Sequence, residues 1–299
     1  MSDHPWALVQ YAIPDDPGGS TYLGVLVDGA VRAAPDDFRS AGLMDALSRW
    51  DDHAPALRRL DVSSLVPVPG GVLIAPLTYP RKVICAGANY YSHAQEMGTQ
   101  PPDPDGEPFF FLKPPTTTIV GPWDEVSLPD GESNVDWEAE LAVVIGRGGR
   151  DISAAEALDH VAGYAVANDL SARGLFPRTD AVFPPFDWDW LRHKGFDGFC
   201  PLGPGVVPSW LIEDPHDLGL RLSVNGQLKQ DGTTADMVVP IPRLIAAASR
   251  ILTLEPGDVI LTGTPAGVGM PRHTFLCPGD VVVTEIERIG RLENRMVKP

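Results

Sequence analysis

Asp136, Glu138 and Glu140 alternate along Asn134–Gly146, a segment that begins acidic and ends in the apolar run Leu141-Ala142-Val143-Val144-Ile145. The alternation reads as a β-strand, in which residues two apart share a face. Carboxylates stacked that closely repel, and a buried run beside them adds a desolvation cost. A hard divalent cation, Mg²⁺ or Mn²⁺, relieves both, because such ions prefer oxygen ligands. An acidic edge strand facing water would show the same pattern. A second apolar strand, from Ala162, delivers Asp169 at its polar end in Asn168-Asp169-Leu170-Ser171-Ala172-Arg173. Alone, Asp169 suits a turn or a helix N-cap. With Glu138 and Glu140 it makes a candidate metal site: three acids on two core strands need a counter-charge.

Other residues carry weaker signals. His93 and Glu96 lie three apart on an expected short helix and so face the same side. A carboxylate beside an imidazole fixes its tautomer and raises its basicity, which suits general-base work on water; an ordinary surface ion pair has the same spacing. Lys194, in Arg192-His193-Lys194-Gly195, offers an ammonium that would stabilise an anion developing beside it, although most lysines are simply solvated. Thr264, in the glycine-rich turn Thr262–Gly269, offers a hydroxyl and neighbouring amides to a carboxylate. Arg173 and Lys113 are further cations for substrate binding or for structural salt bridges.

These segments together resemble the fumarylacetoacetate hydrolase family. Asp136-Trp137-Glu138-Ala139-Glu140-Leu141 is similar to its D-W-E-x-E-L. Asn89-Tyr90-Tyr91-Ser92-His93-Ala94-Gln95-Glu96 resembles its N-Y-x-x-H-x-x-E, and Asn168 to Arg173 its N-D-x-S/T-A-R. Lys194-Gly195-Phe196-Asp197, Pro201-Leu202-Gly203-Pro204, Val224-Asn225-Gly226, Pro256-Gly257-Asp258 and Thr262-Gly263-Thr264-Pro265 follow in the family's order, from about residue 80 to 297. The resemblance implies an α+β, mostly β fold, with a mixed β-roll catalytic domain. It implies Mg²⁺ or Mn²⁺ on Glu138, Glu140 and Asp169, and His93–Glu96 as a water-activating dyad on a lid. Lys194 is implied at the enolate, with Thr264, Arg173 and Lys113 near a small-molecule 2-oxo acid substrate.

The implied reaction is hydrolytic carbon–carbon cleavage of an acylpyruvate. Isomerisation, tautomerisation or decarboxylation of a related 2-oxo acid uses the same metal-held enolate. A non-catalytic metal- or ligand-binding dimer would be signalled by loss of the dyad or of a carboxylate, and both are present. The chain departs from the pattern after Arg173. Where many relatives carry an acid and then a Gln, Gly174 and Phe176 stand. Phe176 neither donates nor accepts a hydrogen bond, so the distal part of the substrate is expected to be apolar or aromatic. The nearby Phe183–Trp190 segment adds rings that serve either that end or plain packing.

Elements and composition bound the rest. The 299 residues suit a small N-terminal α+β domain, residues 1–72, followed by the catalytic domain, 73–299. The first contains an expected hairpin turning at Asp28-Gly29, a short helix at Met44–Trp50, and a Pro/Gly-rich linker from Val66 to Val72. Beyond it, strands are expected at Arg81–Gly87, Asp258–Leu261 and Asp280–Thr284, a hairpin at Asn225-Gly226, and helices at Ala154–Val161, capped by Ser153, and at Ile241–Leu254. A formal charge of −17 opposes nucleic-acid or anionic-membrane binding. No apolar run reaches the ~20 residues of a membrane span, and Met1–Pro5 lacks a secretory pattern. Three unpatterned cysteines, Cys85, Cys200 and Cys277, suit reduced thiols in a cytoplasmic protein and argue against zinc. No Gly-x-Ser-x-Gly elbow or His-Glu-x-x-His is present. The resemblance also implies a homodimer.

Overall fold

The run Ala139–Ile145 is buried at every residue in the computed structural model, as are Val161–Asn168 and Cys200–Pro208. Strands covered on both faces read as continuous apolar sequence, and these three form the centre of the molecule. The structure describes residues 5–14, 16, 19–35, 38 and 42–299. Met1–His4, read above for a secretory signal, lie outside the described residues.

In chain order the strands and α-helices are β1 (Ala7–Ala12), β2 (Thr21–Val27), β3 (Ala30–Ala33), α1 (Leu43–Ser48), α2 (Trp50–Leu57), β4 (Val72–Ile74), β5 (Val83–Gly87), α3 (Tyr91–Glu96) and β6 (Phe109–Lys113). Then come β7 (Ile119–Val120), β8 (Glu125–Ser127), β9 (Val135–Asp136), β10 (Ala139–Ile145), β11 (Val161–Asn168), β12 (Ser171–Ala172), α4 (Trp190–Lys194) and β13 (Cys200–Pro208). The chain ends with β14 (Gly219–Val224), β15 (Gln227–Thr233), α5 (Ile241–Ile251), β16 (Val259–Leu261), β17 (Val281–Ile286) and β18 (Gly290–Val297).

An eleven-stranded sheet has the main path β3-β2-β1-β13-β11-β10-β16-β5-β6; a five-stranded sheet runs β15-β14-β17-β18-β8, and β12 pairs with β9. Most pairings are antiparallel, while β5–β16, β7–β13 and β8–β18 are parallel. This is the mixed, mostly β roll expected from the sequence.

Alternation along β10 divides the core. Leu141, Val143 and Ile145 pack with Tyr164, Leu220, Ile245 and Ile286, beneath α5 and the five-stranded sheet. Ala142 and Val144 join Leu8, Leu43, Leu47, Trp50 and Leu261 in the second cluster. Each fully buried Leu, Val or Ile is worth about 1.5–3 kcal/mol relative to exposure, so both clusters hold β10 in register. The N-terminal residues thus cover one face of the central sheet. β1 also pairs with β13 at Leu8↔Val206, and β4 pairs with β1. The sequence boundary after residue 72 therefore falls inside β4, between segments that share a sheet and a core.

The Asp28-Gly29 and Asn225-Gly226 turns have φ of 50° and 77°, and 50° and 75°, the left-handed pair that a two-residue hairpin needs. Four expectations differ. The N-terminal helix breaks at Arg49 into α1 and α2. The Val66–Val72 linker is ordered, with Val68 N–H donating to Val31 O and Ala33 N–H to Val66 O, both at 2.9 Å. Ala154–Val161 forms only a 3₁₀ turn at Ala157–His160, because Val161 must be extended to pair with Ile145. Ser153 Oγ bonds the Glu156 carboxylate at 2.7 Å instead of capping a helix.

The fourth difference bears on the site. The strand read across 134–146 is interrupted at Trp137-Glu138, which separates β9 from β10. Glu138 N–H turns to Asn168 Oδ1 at 2.9 Å, and the Trp137 indole N–H donates to Gly267 O at 3.1 Å. Asp136 is carried into the small β9–β12 pair, away from the face it was expected to share. Among the described residues no helix is long and apolar enough to cross a membrane. Cys85 and Cys200 are buried free thiols, and Cys277 is an exposed one.

Candidate active site

Glu140 projects from β10, Glu138 from the break before it, and Asp169 from the end of β11. Antiparallel pairing, with Ala139 opposite Asn168, brings the three together. One carboxylate oxygen from each lies within 4.8 Å of the others, and all three residues are buried.

Three cations are drawn in. Lys194, on α4, donates to Glu138 Oε2 at 2.7 Å and Asp169 Oδ2 at 2.6 Å. Lys113, at the end of β6, donates to Asp169 Oδ1 at 2.5 Å and Leu170 O at 3.2 Å. Arg173 spans Glu138 Oε1 at 2.6 Å and Asp136 Oδ2 at 3.0 Å. Lys113 and Arg173 thus pair with the protein's own acids. Lys194 lies inside the acid cluster, not beside it.

The charges are shared unequally. Burial would push Glu138 up, but Lys194 and Arg173 overcome it and hold this acid well below the usual range. Glu140 receives the Gly263 N–H at 2.6 Å, while the three cationic side chains bond other acids. Burial, then the charges of Asp169 and Glu138, push it well above the ordinary carboxylate range. Three buried carboxylates, one of them poorly compensated, fit a hard divalent cation such as Mg²⁺ or Mn²⁺.

The glycine-rich turn after β16 is an anion nest, but its anions are the protein's own. Gly263 N–H serves Glu140; Gly267 N–H lies 2.9 Å from both oxygens of Glu96; Gly269 and Met270 N–H meet Asp136 at 2.6 and 3.0 Å. Gly263 has φ +92°, a conformation open to glycine. A Cβ on Gly269 would sit 1.9 Å from Thr274 O. Thr264 gives its proton to Ala139 O at 2.8 Å and accepts from Gln230 at 2.8 Å. Its hydroxyl fastens the turn to β10.

His93 and Glu96 lie on α3, with Nδ1 3.2 Å from Oε1. Burial alone would raise Glu96, but the His93 hydrogen bond and the Gly267 amide lower it, so it stays ionised. His93 is near enough to help lower Glu138 electrostatically. Asn89 ties the start of α3 to the core, bonding Val239 on both its amide atoms and Thr262 O at 2.9 Å.

His193 adjoins Lys194 in the sequence, and no motif there marks it as a site residue. The segment is helical, capped by Asp189, and both residues are buried. His193 Nδ1 bonds Ala172 O at 3.2 Å, and Nε2 faces Arg173 at 3.5 Å. Burial, with Lys194 and Arg173 beside it, depresses the imidazole to about 2, so it is neutral. Asp189, four residues before it, was the available signal for the helix start. Phe176 is half-buried and stacks on His193. Cys200 is pushed up to about 12, chiefly by burial, which leaves no thiolate nucleophile.

Comparison with known proteins places the chain in a family. Residues 82–297 match the family model described as fumarylacetoacetate (FAA) hydrolase C-terminal. The chain is 44% identical over 259 residues to the mitochondrial oxaloacetate tautomerase of Xenopus laevis, covering 86% of this chain and 75% of that protein. It superposes on a fumarylacetoacetate hydrolase from psychrophilic Exiguobacterium antarcticum with a TM-score of 0.82 and 35% identity, covering 98% and 100% of the two chains. Maleylpyruvate hydrolase from Sphingobium sp. SYK-6, solved with manganese(II) and pyruvate, aligns with a TM-score of 0.74 and 29% identity over 98% and 99%. With its carboxylate cluster on β10 and β11 and its family match over most of its length, this chain is an enzyme-type member of the fumarylacetoacetate hydrolase family.

Proposed function

We propose that the chain is a divalent-metal-dependent hydrolase that cleaves a carbon–carbon bond in an acylpyruvate-type 2,4-dioxo acid. The observation that carries this reading is the His93–Glu96 pair, 3.2 Å apart and held by the Gly267 amide, on α3 and near enough to Glu138 to lower that acid electrostatically. Glu138, Glu140 and Asp169 would hold Mg²⁺ or Mn²⁺. A bound divalent cation supplies Lewis acidity toward the 2-oxo group and charge for the enolate.

With Nδ1–H donated to Glu96, His93 has Nε2 available to take a proton from water. The hydroxide so formed adds to the distal carbonyl, and the bond from that carbon to the pyruvate methylene breaks. The electron pair leaves on pyruvate as its enolate. The imidazolium of His93 returns the proton to the methylene carbon, giving pyruvate and a carboxylic acid. Lys194 contributes a fixed positive charge beside the developing anion, while Arg173 and Lys113 hold Glu138 and Asp169 in place. Assembly as a homodimer is part of the same reading.

Keto–enol tautomerisation is the second reading, favoured by the tautomerase name of the Xenopus laevis relative. It needs the same acids and a proton relay but no attacking water. Pyruvate release from acylpyruvates, measured with and without Mg²⁺, tests the proposal. Metal-dependent pyruvate formation supports hydrolysis. Loss of the enol absorbance of oxaloacetate, with no cleavage of any acylpyruvate, transfers the assignment to tautomerisation.

A further inference from the structure

A wall of rings abuts the acid site. Lys194 Nζ lies 5.4 Å from the centroid of Phe111, and Phe111 stacks on Trp190 at 4.6 Å. Phe176 continues the wall, 4.7 Å from Trp190, 4.9 Å from Trp188 and 4.4 Å from the imidazole of His193. His193 faces Arg173, whose other nitrogen holds Glu138. Two short routes therefore lead from the carboxylate cluster to the same rings, one through Lys194 and one through Arg173.

The wall is open to solvent at its outer edge. Trp188 is 57% exposed and Phe109 52%. Trp188 and Trp190 border a hollow of about 440 Å³, with Val182 and Phe186 on its sides. Exposed contiguous apolar surface of this kind marks a binding site more often than isolated exposed side chains do. Charge around the hollow selects among occupants. Arg178 is forked between Asp180 at 3.1 Å and Asp189 at 3.2 Å. Between residues 176 and 194, Asp180, Asp187 and Asp189 outnumber Arg178 and Arg192 ahead of the buried Lys194. A second carboxylate at the far end of a substrate would meet acidic surroundings and no unengaged guanidinium at Arg178. A flat neutral group would meet ring faces.

We propose that Phe176, Trp188 and Trp190 recognise the distal group of the substrate, and that this group is an aryl or similarly flat apolar substituent. The inference rests on the reading that the site handles a 2-oxo acid, and it specifies the other end of that acid. Phe176 is then a specificity-determining residue, placed between the neutral His193 and the outer tryptophans.

The test compares kcat/KM, with Mg²⁺, for 4-phenyl-2,4-dioxobutanoate, 2,4-dioxopentanoate and oxaloacetate in the native chain, Phe176→Gln and Trp188→Ala. The native chain should favour phenyl over methyl by about tenfold or more, the scale of a hydrophobic pocket's discrimination. Both variants should lower that ratio, with the Mg²⁺-induced rise in melting temperature retained. Equal treatment of phenyl and methyl, or a native preference for oxaloacetate, overturns the proposal. Calorimetric titration of the Mg²⁺-loaded protein with phenylpyruvate and pyruvate separates it from the hydrolase reading. Tighter binding of phenylpyruvate, weakened by Trp188→Ala, supports the ring wall even when no acid is cleaved. Equal binding of the two overturns it even when cleavage is fast.

Discussion

The backbone amide of Gly267 donates to both carboxylate oxygens of Glu96, at 2.9 Å each. This fixes the carboxylate that in turn orients His93, so the base is aimed by a loop rather than by its own six-residue helix. Removing the imidazole should therefore leave the loop and the acid cluster intact. We expect His93→Ala to lower kcat for cleavage by about 10²–10⁴ while Mg²⁺ still raises the melting temperature. Keto–enol exchange of the same substrate, followed in parallel, gives the check. Cleavage lost with exchange retained assigns the water-activating role to His93, and near-native rates for both remove it.

Glu140→Gln should uncouple metal from stability. The folded protein holds Glu140 well above its ordinary range, so without metal its ionisation opposes folding. That contribution favours the fold below the unfolded value of about 4.3 and is lost as pH rises toward the folded value. The variant should thus melt no lower than the metal-free native protein at neutral pH. Its Mg²⁺-dependent stabilisation should vanish, since ligand linkage requires the site. Unchanged Mg²⁺ affinity by calorimetry would remove Glu140 from the ligand set.

Lys113→Met tests a different kind of contribution. Its ammonium is fully buried against Asp169. Truncating one partner of a buried pair leaves the other charge uncompensated and costs about 3–5 kcal/mol. Urea unfolding without metal should show that loss, and saturating Mg²⁺ should recover part of it. A loss below 1 kcal/mol, roughly that of an exposed pair, would contradict the assigned structural role.

Removal of residues 1–74 should not yield a folded catalytic domain. β1 covers an edge of β13, and Leu43, Leu47 and Trp50 cover Ala142 and Val144. Stripping them exposes strand edge and core together, and aggregation is the expected result in light scattering. The intact chain should scatter as a homodimer at working concentration. A soluble, monomeric truncation that binds Mg²⁺ would show the N-terminal segment to be dispensable.

Much of the site was legible because its chemistry is local in sequence. Glu138 and Glu140 lie two apart and His93 and Glu96 three apart, while Asp169 ends an unmistakably apolar strand. The two hairpin turns were equally plain, since Asp28-Gly29 and Asn225-Gly226 match the one backbone shape that closes such a turn. What escaped was set by distant partners. Asp136 fits the strand alternation, yet Arg173 and the amides of Gly269 and Met270 draw it elsewhere. The fastening of the turn to β10 through Thr264 depends on Gln230 and Ala139 O, which no local pattern announces. The helical turn that buries His193 beside Lys194 is only five residues long, too short to leave a periodic signal.

Gly263 through Met270 is one short stretch of chain, and its amides grip Glu140, Glu96 and Asp136 at successive points. A shift of that stretch toward or away from one carboxylate changes its grip on the others. Ion uptake at Glu140 and the setting of Glu96 therefore draw on the same stretch of backbone, and any coupling free energy between them acts equally in both directions. One stretch of backbone thus serves both the ion site and the base.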